Sequence, residues 1–286
     1  MQLDFCRYTP ADAQSVRRYI SGQPYRSCDF TVAGLLLWAD YYGYEFAVRD
    51  DTLFVRGRAE DGRTAYLLPV GAMTPVQGAE VLRAYCRGRG EAPLLTFVPQ
   101  EAAEAIAARL PCRLEQQAGW SDYLYLREKL ATLPGNALHR KRNRVSKFMR
   151  EFPDYSFERL GNANLADARA LIASLQTAES LSDERLAYEA KLIETALTCF
   201  SGGLLRVGGQ PVALTVGDSM GDTLYVHIEK ASRAFEGAYE TVNLLFASSF
   251  GADVVYVNRE EDMGLEGLRQ AKEGYCPERM VHKFNL

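Results

Sequence analysis

The chain has 286 residues and a formal net charge of −4, with 47% apolar and 24% charged residues. That is a folded protein with a full core, long enough for two domains or one large α/β domain. It excludes low-complexity chains, and with no apolar run long enough to span a bilayer and no signal peptide in MQLDFCRYTP, a cytoplasmic protein is expected.

In chain order, the pattern predicts a helix over 12–21 and another over 31–41, the latter carrying Leu35, Leu36 and Trp38. Three strands follow at 44–49, 52–58 and 63–70, joined by turns at Asp50-Asp51 and Asp61-Gly62 into an antiparallel meander. Pro75 opens a helix to about Arg87; a strand at 94–98, an alanine-rich helix at 100–110 and a strand at 121–126 complete the first half.

The second half opens on the densest charge in the chain. LHRKRNRVSKFMREF, from Leu138 to Phe152, holds six Lys or Arg in fifteen residues of an otherwise acidic protein. At about 100° per residue, Leu138, Val145, Phe148, Met149 and Phe152 share one face. Arg140, Arg144, Lys147 and Arg150 share the other, with few acids at i±4 to neutralise them. Asn136 is a candidate cap, and Pro153 ends the helix. A docked helix with a cationic outer face suits a polyanion: a phosphorylated cofactor, RNA or an anionic headgroup.

After it come a strand at 155–160, a helix capped by Asn164 and another capped by Ser182 with a stripe of Leu186, Ala190, Ile193 and Leu197. Strands at 203–207, 211–218 and 223–229 then lead to a helix at 237–250, a strand at 253–258, a helix at 265–273 and a strand at 279–284. This order of helix pair, meander and βαβ return is that of the GNAT acyltransferases, and the first half resembles a shorter version of it. The expected fold class is therefore α/β (α+β). Two tandem GNAT-like lobes are expected, 1–126 and 127–286, each a mixed, mostly antiparallel sheet flanked by helices. The second would include the basic helix over 137–152.

Six scattered cysteines and three histidines give no metal-ligand spacing, and no metal is expected. No Gly-x-Ser-x-Gly or Walker A pattern is present either. The chemistry is sought where a GNAT sheet opens beside its central strand and the next helix points its N–H groups at a diphosphate. Arg233 and Gly237, in the loop before the 237–250 helix, are the candidates for that contact. The GNAT signature there is Arg/Gln-x-x-Gly-x-Gly/Ala, and this chain reads Arg-x-x-x-Gly-Ala instead. His227 and Glu229 alternate along the central strand and are expected on one face. Glu229 is the candidate general base, while His227 lines the cleft or packs on one hydrogen bond. Asn258 and Arg259 follow an apolar strand, where α/β sheets place ligand crevices, with Asp262 as a cap for the next helix. Arg269 and Lys272, three apart on a helix, are candidates for a phosphate or a developing oxyanion. Tyr275 is a candidate cleft residue and proton donor, though a buried structural tyrosine is the commoner case.

LHRKRNRVSKFMREFPDYSFERL, IEKASRAFEGAYETVN and VNREEDMGLEGLRQAKEGYCP together resemble one bacterial family, the phosphatidylglycerol lysyltransferase C-terminal domain-containing proteins. The likeness extends to FTVAGLLLWADYYGYEFAV in the first half. The resemblance implies a tandem GNAT fold related to the Fem-type transferases, which move an aminoacyl group from charged tRNA to an amine or hydroxyl. Lys272 is carried over from the Phe-Lys-x-x-Phe-Gly type motif of those relatives. Gln270 stands where ordinary GNAT enzymes place a tyrosine, which speaks against acetyl-CoA use. The expected function is aminoacyl transfer from aminoacyl-tRNA to a small-molecule, peptide or lipid-headgroup acceptor. The alternatives are an acyl-CoA dependent N-acyltransferase and a non-catalytic RNA- or nucleotide-binding module on a decayed GNAT fold.

Overall fold

The computed structural model describes residues 2–59, 61–176 and 183–286. Contacts divide the chain into two compact units. Unit 1 holds the chain up to Asp122 together with Glu261–Leu265 and Met280–Leu286; unit 2 holds Tyr123–Glu260 and Glu266–Arg279. Two short pieces near the end of the chain thus belong with its beginning.

Unit 1 opens with β1 (Cys6–Arg7), α1 (Ala13–Ile20), α2 (Val32–Tyr42), β2 (Glu45–Arg49), β3 (Thr52–Arg58), β4 (Thr64–Tyr66) and β5 (Val70–Gly71). It continues through α3 (Pro75–Arg87), β6 (Val98–Pro99), α4 (Gln100–Ala107) and β7 (Glu115–Gln116). Local chemistry sets the boundaries. Thr31 caps α2 by accepting the Gly34 N–H at 2.8 Å, and Gly43 closes it in the left-handed region at φ 60°. Thr74 and Gln77 form a reciprocal capping box at the start of α3, with Pro75 in its first turn. Asp50 and Asp51, at φ 47° and 52°, make the two-residue hairpin between β2 and β3. The strand expected over 63–70 is instead β4 and β5, because Pro69 has no N–H to give a ladder.

Unit 2 is built on β8 (Asp122–Leu126), α5 (Arg127–Thr132), α6 (His139–Glu151), β9 (Ser156–Arg159), α7 (Leu165–Gln176) and α8 (Asp183–Cys199). Then come β10 (Ser201–Val207), β11 (Gln210–Met220), β12 (Thr223–Ala231), α9 (Ala238–Ser248), β13 (Tyr256–Asn258) and α10 (Glu266–Glu273). The expected strand at 279–284 divides into β14 (Arg279–Val281) and β15 (Lys283–Asn285), which join different sheets. The order in the large sheet is β14-β8-β13-β12-β11-β10-β9; β15 lies between β6 and β7 in a small sheet of unit 1. In the large sheet β12–β13 is parallel, whereas β8–β13, β11–β12, β10–β11 and β9–β10 are antiparallel.

Helix α6 docks as its apolar face predicts. Phe148 is fully buried against Leu205, Val212, Ala213 and Val242, with Met149 and Phe152 packed beside it. Truncating such a phenylalanine to alanine costs about 3–5 kcal/mol. The caps differ from expectation. Leu138 stands at the N-cap of α6 with no side-chain cap, and Asn136 serves through its backbone carbonyl. Asn164 turns its side chain back to the Gly161 N–H and the Arg159 carbonyl. The expected cap Ser182 and the stripe position Leu186 lie outside the described side chains; of that stripe Ile193 and Leu197 are buried, and Ala190 is exposed. Among the described residues, no helix is long and apolar enough to cross a membrane.

A candidate active site around Glu229 and Arg259

The parallel pairing of β12 with β13 covers only Thr223, Leu224 and Tyr225, yet β12 runs on to Ala231. The second half of β12 therefore leaves one edge without a strand partner among the described residues. Glu229 belongs to that half. Its two oxygens accept Arg259 Nη2 at 2.7 Å and Asn243 Nδ2, from α9, at 3.0 Å. The Arg259 guanidinium carbon lies 4.7 Å from the Tyr275 ring centre and 5.9 Å from that of Tyr125. Its backbone is fixed as well: the Arg259 N–H donates to Tyr123 O, and its carbonyl accepts Lys272 Nζ at 2.6 Å. Tyr125 in turn donates its hydroxyl to Lys272 O at 2.8 Å.

The electrostatics follow from this burial. Desolvation alone would lower the Arg259 pKa, but the Glu229 carboxylate outweighs it and holds the guanidinium firmly charged. Burial pushes the Tyr275 and Tyr125 phenols well above their ordinary value, with Arg259 opposing in both. Two polar atoms around Glu229, Arg259 Nη1 and Asn243 Oδ1, are buried without a partner among the described residues. Rotating the Asn243 amide would satisfy neither end, since its oxygen would then face the carboxylate. A desolvated donor that is already paid for in stability gains its hydrogen bond only when an acceptor arrives, which is the arrangement an oxyanion needs.

Beside this group, Lys141 Nζ stands 4.3 Å from the Tyr275 ring centre and 3.4 Å from Glu240, which also accepts Arg144 Nη1 at 2.8 Å. Burial lowers the Lys141 pKa, and Glu240 works against that shift. Glu240 sits in the first turn of α9 and is itself buried.

The profile of the family described as "Phosphatidylglycerol lysyltransferase, C-terminal" matches residues 23–286. The chain belongs to this family. Among solved structures, it is similar to a conserved protein of unknown function from Bacteroides thetaiotaomicron VPI-5482, with 30% identity and a TM-score of 0.90 over 99% of each chain. L-PGS from Bacillus licheniformis is similar at 14% identity and a TM-score of 0.69, covering 97% of this chain and 91% of that one. A GNAT-family acetyltransferase from Colwellia psychrerythraea shares the fold at 10% identity and a TM-score of 0.52, covering 100% of this chain and 98% of that one. No curated protein matches. The fold is thus the mixed α/β, GNAT-like one expected from the element order.

In this lysyltransferase C-terminal family member, the structure gathers Glu229, Arg259, Lys272 and Tyr275 into one group. Other candidates lie differently. The register of β11 on β12 shifts by one between Val216 and Gly217, leaving His227 as the extra residue. The simple alternation of His227 with Glu229 therefore fails. His227 is buried, with Nδ1 2.7 Å from Glu260 Oε1 and its ring against Phe200. Asn258 is buried and accepts the Glu260 N–H at 2.7 Å, shaping the turn in which Glu260 adopts φ 57°. Asp262 likewise accepts the Gly264 N–H at 2.8 Å in the turn before α10.

Gly237 is the clearest correction. A Cβ there would stand 2.6 Å from Arg144 O and 3.1 Å from Phe148 Cβ. On the side where a Cβ would point, what approaches Gly237 is helix α6, so its missing side chain serves helix packing. Arg144 and Lys147 are engaged with Glu240 and Glu236, and Lys147 also has Glu151 at i+4, so acids do answer the cationic face. Arg140, Arg150 and Arg233 remain exposed. Arg269 lies 3.9 Å from Glu266, apart from the Lys272 ammonium that turns to Arg259.

Lys141, Glu240, Asn243 and Tyr125 are members of this group that the sequence reading passed over. A signal existed for three of them. Lys141 precedes Val145 by four residues and Phe148 by seven, placing it on the apolar face of α6. Glu240 and Asn243 interrupt an otherwise apolar helix three residues apart.

Proposed function

We propose that this chain is an acyltransferase that moves an aminoacyl group from aminoacyl-tRNA to an amine or hydroxyl acceptor. The observation that carries the reading is the largely buried Glu229–Arg259–Asn243 group, with a guanidinium N–H that no described residue takes. Glu229 takes the proton from the acceptor nucleophile as it attacks the ester carbonyl of the donor. Arg259 Nη1 donates to the tetrahedral oxyanion. Lys272, expected as the oxyanion contact, acts here on Arg259 by holding its carbonyl, and is a positioning residue. The ester oxygen leaves with the proton that Glu229 took from the nucleophile, which regenerates a tRNA hydroxyl and the Glu229 carboxylate. Arg140 and Arg150 supply exposed charge for the polyanionic donor.

Coenzyme A as donor fits less well, because the start of α9 is seated on α6 and its first turn carries the buried Glu240. An anionic diphosphate at that point would meet a carboxylate.

The test is transfer from a labelled aminoacyl-tRNA pool to small amines, a dipeptide and phosphatidylglycerol micelles, with acetyl-CoA in parallel. Transfer from tRNA that Glu229→Gln abolishes supports the reading. Transfer from acetyl-CoA alone sinks it. Binding of tRNA should weaken steeply with salt, and Arg140→Glu with Arg150→Glu should flatten that slope.

A further inference from the structure

Unit 1 contains a cavity of about 450 Å³ that takes no part in the chemistry above. Its floor is carbon, from Ala79 of α3, Leu95, Ile106 of α4 and Leu110. Its rim is cationic. Arg83 and Arg87 follow Ala79 at four-residue steps along one face of α3, and Arg113 reaches in from the segment after α4. None of these three arginines forms an ion pair among the described residues. Of the acids in the lining, Glu91 stands 4.0 Å from Arg89, and Leu286 brings the α-carboxylate of the last residue. Three like charges around an apolar hollow repel one another, and the two carboxylates of the lining are fewer than the arginines and paired with none of them among the described residues.

We propose that this cavity binds a single-chain anionic amphiphile. Its chain would cover the floor, and its carboxylate or phosphate head would lie among Arg83, Arg87 and Arg113. The size is within the usual range for small-molecule sites, which are mostly apolar with a few placed polar groups. Guanidinium forks match carboxylate and phosphate geometry. A free inorganic anion would satisfy the rim and leave the floor wet; a neutral chain would do the reverse. Only a molecule with both parts answers both surfaces. The proposal goes beyond the transfer reading and is independent of it.

The test is calorimetric titration of the whole chain with oleate and with dodecyl phosphate, below their micelle concentrations. Dodecanol, inorganic phosphate and phosphatidylcholine vesicles containing phosphatidylserine are titrated beside them. Both anionic amphiphiles should bind, dodecanol at least about tenfold more weakly. Arg83→Glu with Arg87→Glu should cost about tenfold or more. Ala92→Trp, at an exposed position of the rim, should block the site while leaving thermal unfolding unchanged. Cys112, an exposed thiol in the lining, should be alkylated more slowly when oleate is present, and the exposed Cys6 and Cys199 should not. Equal binding of dodecanol or of inorganic phosphate overturns the proposal. So does binding to vesicles without binding of the monomeric amphiphile, or an unchanged affinity in the double arginine variant.

Discussion

Each unit buries a cation beside carboxylates, and the two arrangements differ in what they leave unused. In unit 1, Lys283 is sealed from solvent with Asp29 and Asp122 each at 2.6 Å and the Cys28 thiol at 3.4 Å. Burial alone would lower its pKa, but the two aspartates outweigh that and hold it well above the ordinary value. The Asp122 carboxylate also accepts the Cys28 N–H at 2.8 Å. In unit 2, Arg259 Nη1, Asn243 Oδ1 and His227 Nε2 are buried with no hydrogen-bond partner among the described residues. A saturated charge network fixes structure. An unsaturated one pays a standing cost, and such a cost persists at sites where a reacting group will complete it.

Four experiments press on that contrast. The largest effect is expected in unit 1: Lys283→Met strands two buried carboxylates and should cost about 3–5 kcal/mol in denaturant unfolding. A loss below about 1 kcal/mol would mean that the network is not sealed as described. Glu229→Gln in unit 2 keeps the side chain's shape but leaves the Arg259 charge without its carboxylate, and it should lower transfer per folded molecule about 10²–10⁴-fold while costing about 3–5 kcal/mol in stability. If stability falls sharply and turnover per folded molecule does not, Glu229 is a structural partner of Arg259 only. Gly237→Ala drives a Cβ to 2.6 Å from Arg144 O at φ 89° and should cost about 1–3 kcal/mol, read as a lower melting temperature.

The smallest effect concerns Tyr8, whose buried hydroxyl has no partner among the described residues. Burial, with Asp12 adding to it, pushes its pKa up from 10.0 to about 12. A phenol whose pKa rises on folding contributes stability in full below pH 10, and that contribution fades between about pH 10 and 12. Tyr8→Phe should remove this alkaline loss and change stability at neutral pH by less than about 1 kcal/mol. Unchanged alkaline unfolding in the variant would show that Tyr8 does not titrate in that window.

What the sequence disclosed tracks local physics. α3 was legible to the residue because Thr74, Pro75 and Gln77 specify its start without help from elsewhere. The apolar face of α6 followed from spacing alone. The short helix α5 passed unnoticed, and the return of β15 to a sheet with β6 and β7 depends on pairing nearly 170 to 190 positions apart, which no window of sequence contains. In the candidate site, Glu229, Arg259, Lys272 and Tyr275 stood out by chemical type. Their roles relative to one another did not, because Lys272 meets Arg259 through a backbone carbonyl. The acids that answer Arg144 and Lys147 come from α9 and the turn before it, roughly ninety positions away, so inspection at i±4 saw only Glu151.

The seat of Lys283 also sets an order of events during synthesis. Asp29 and Asp122 leave the ribosome about 160 residues or more before the ammonium that neutralises them, a delay of about 10–30 s at ordinary elongation rates. Through that interval the nascent first unit must keep those carboxylates hydrated. Its interior closes only when the final strand threads between β6 and β7.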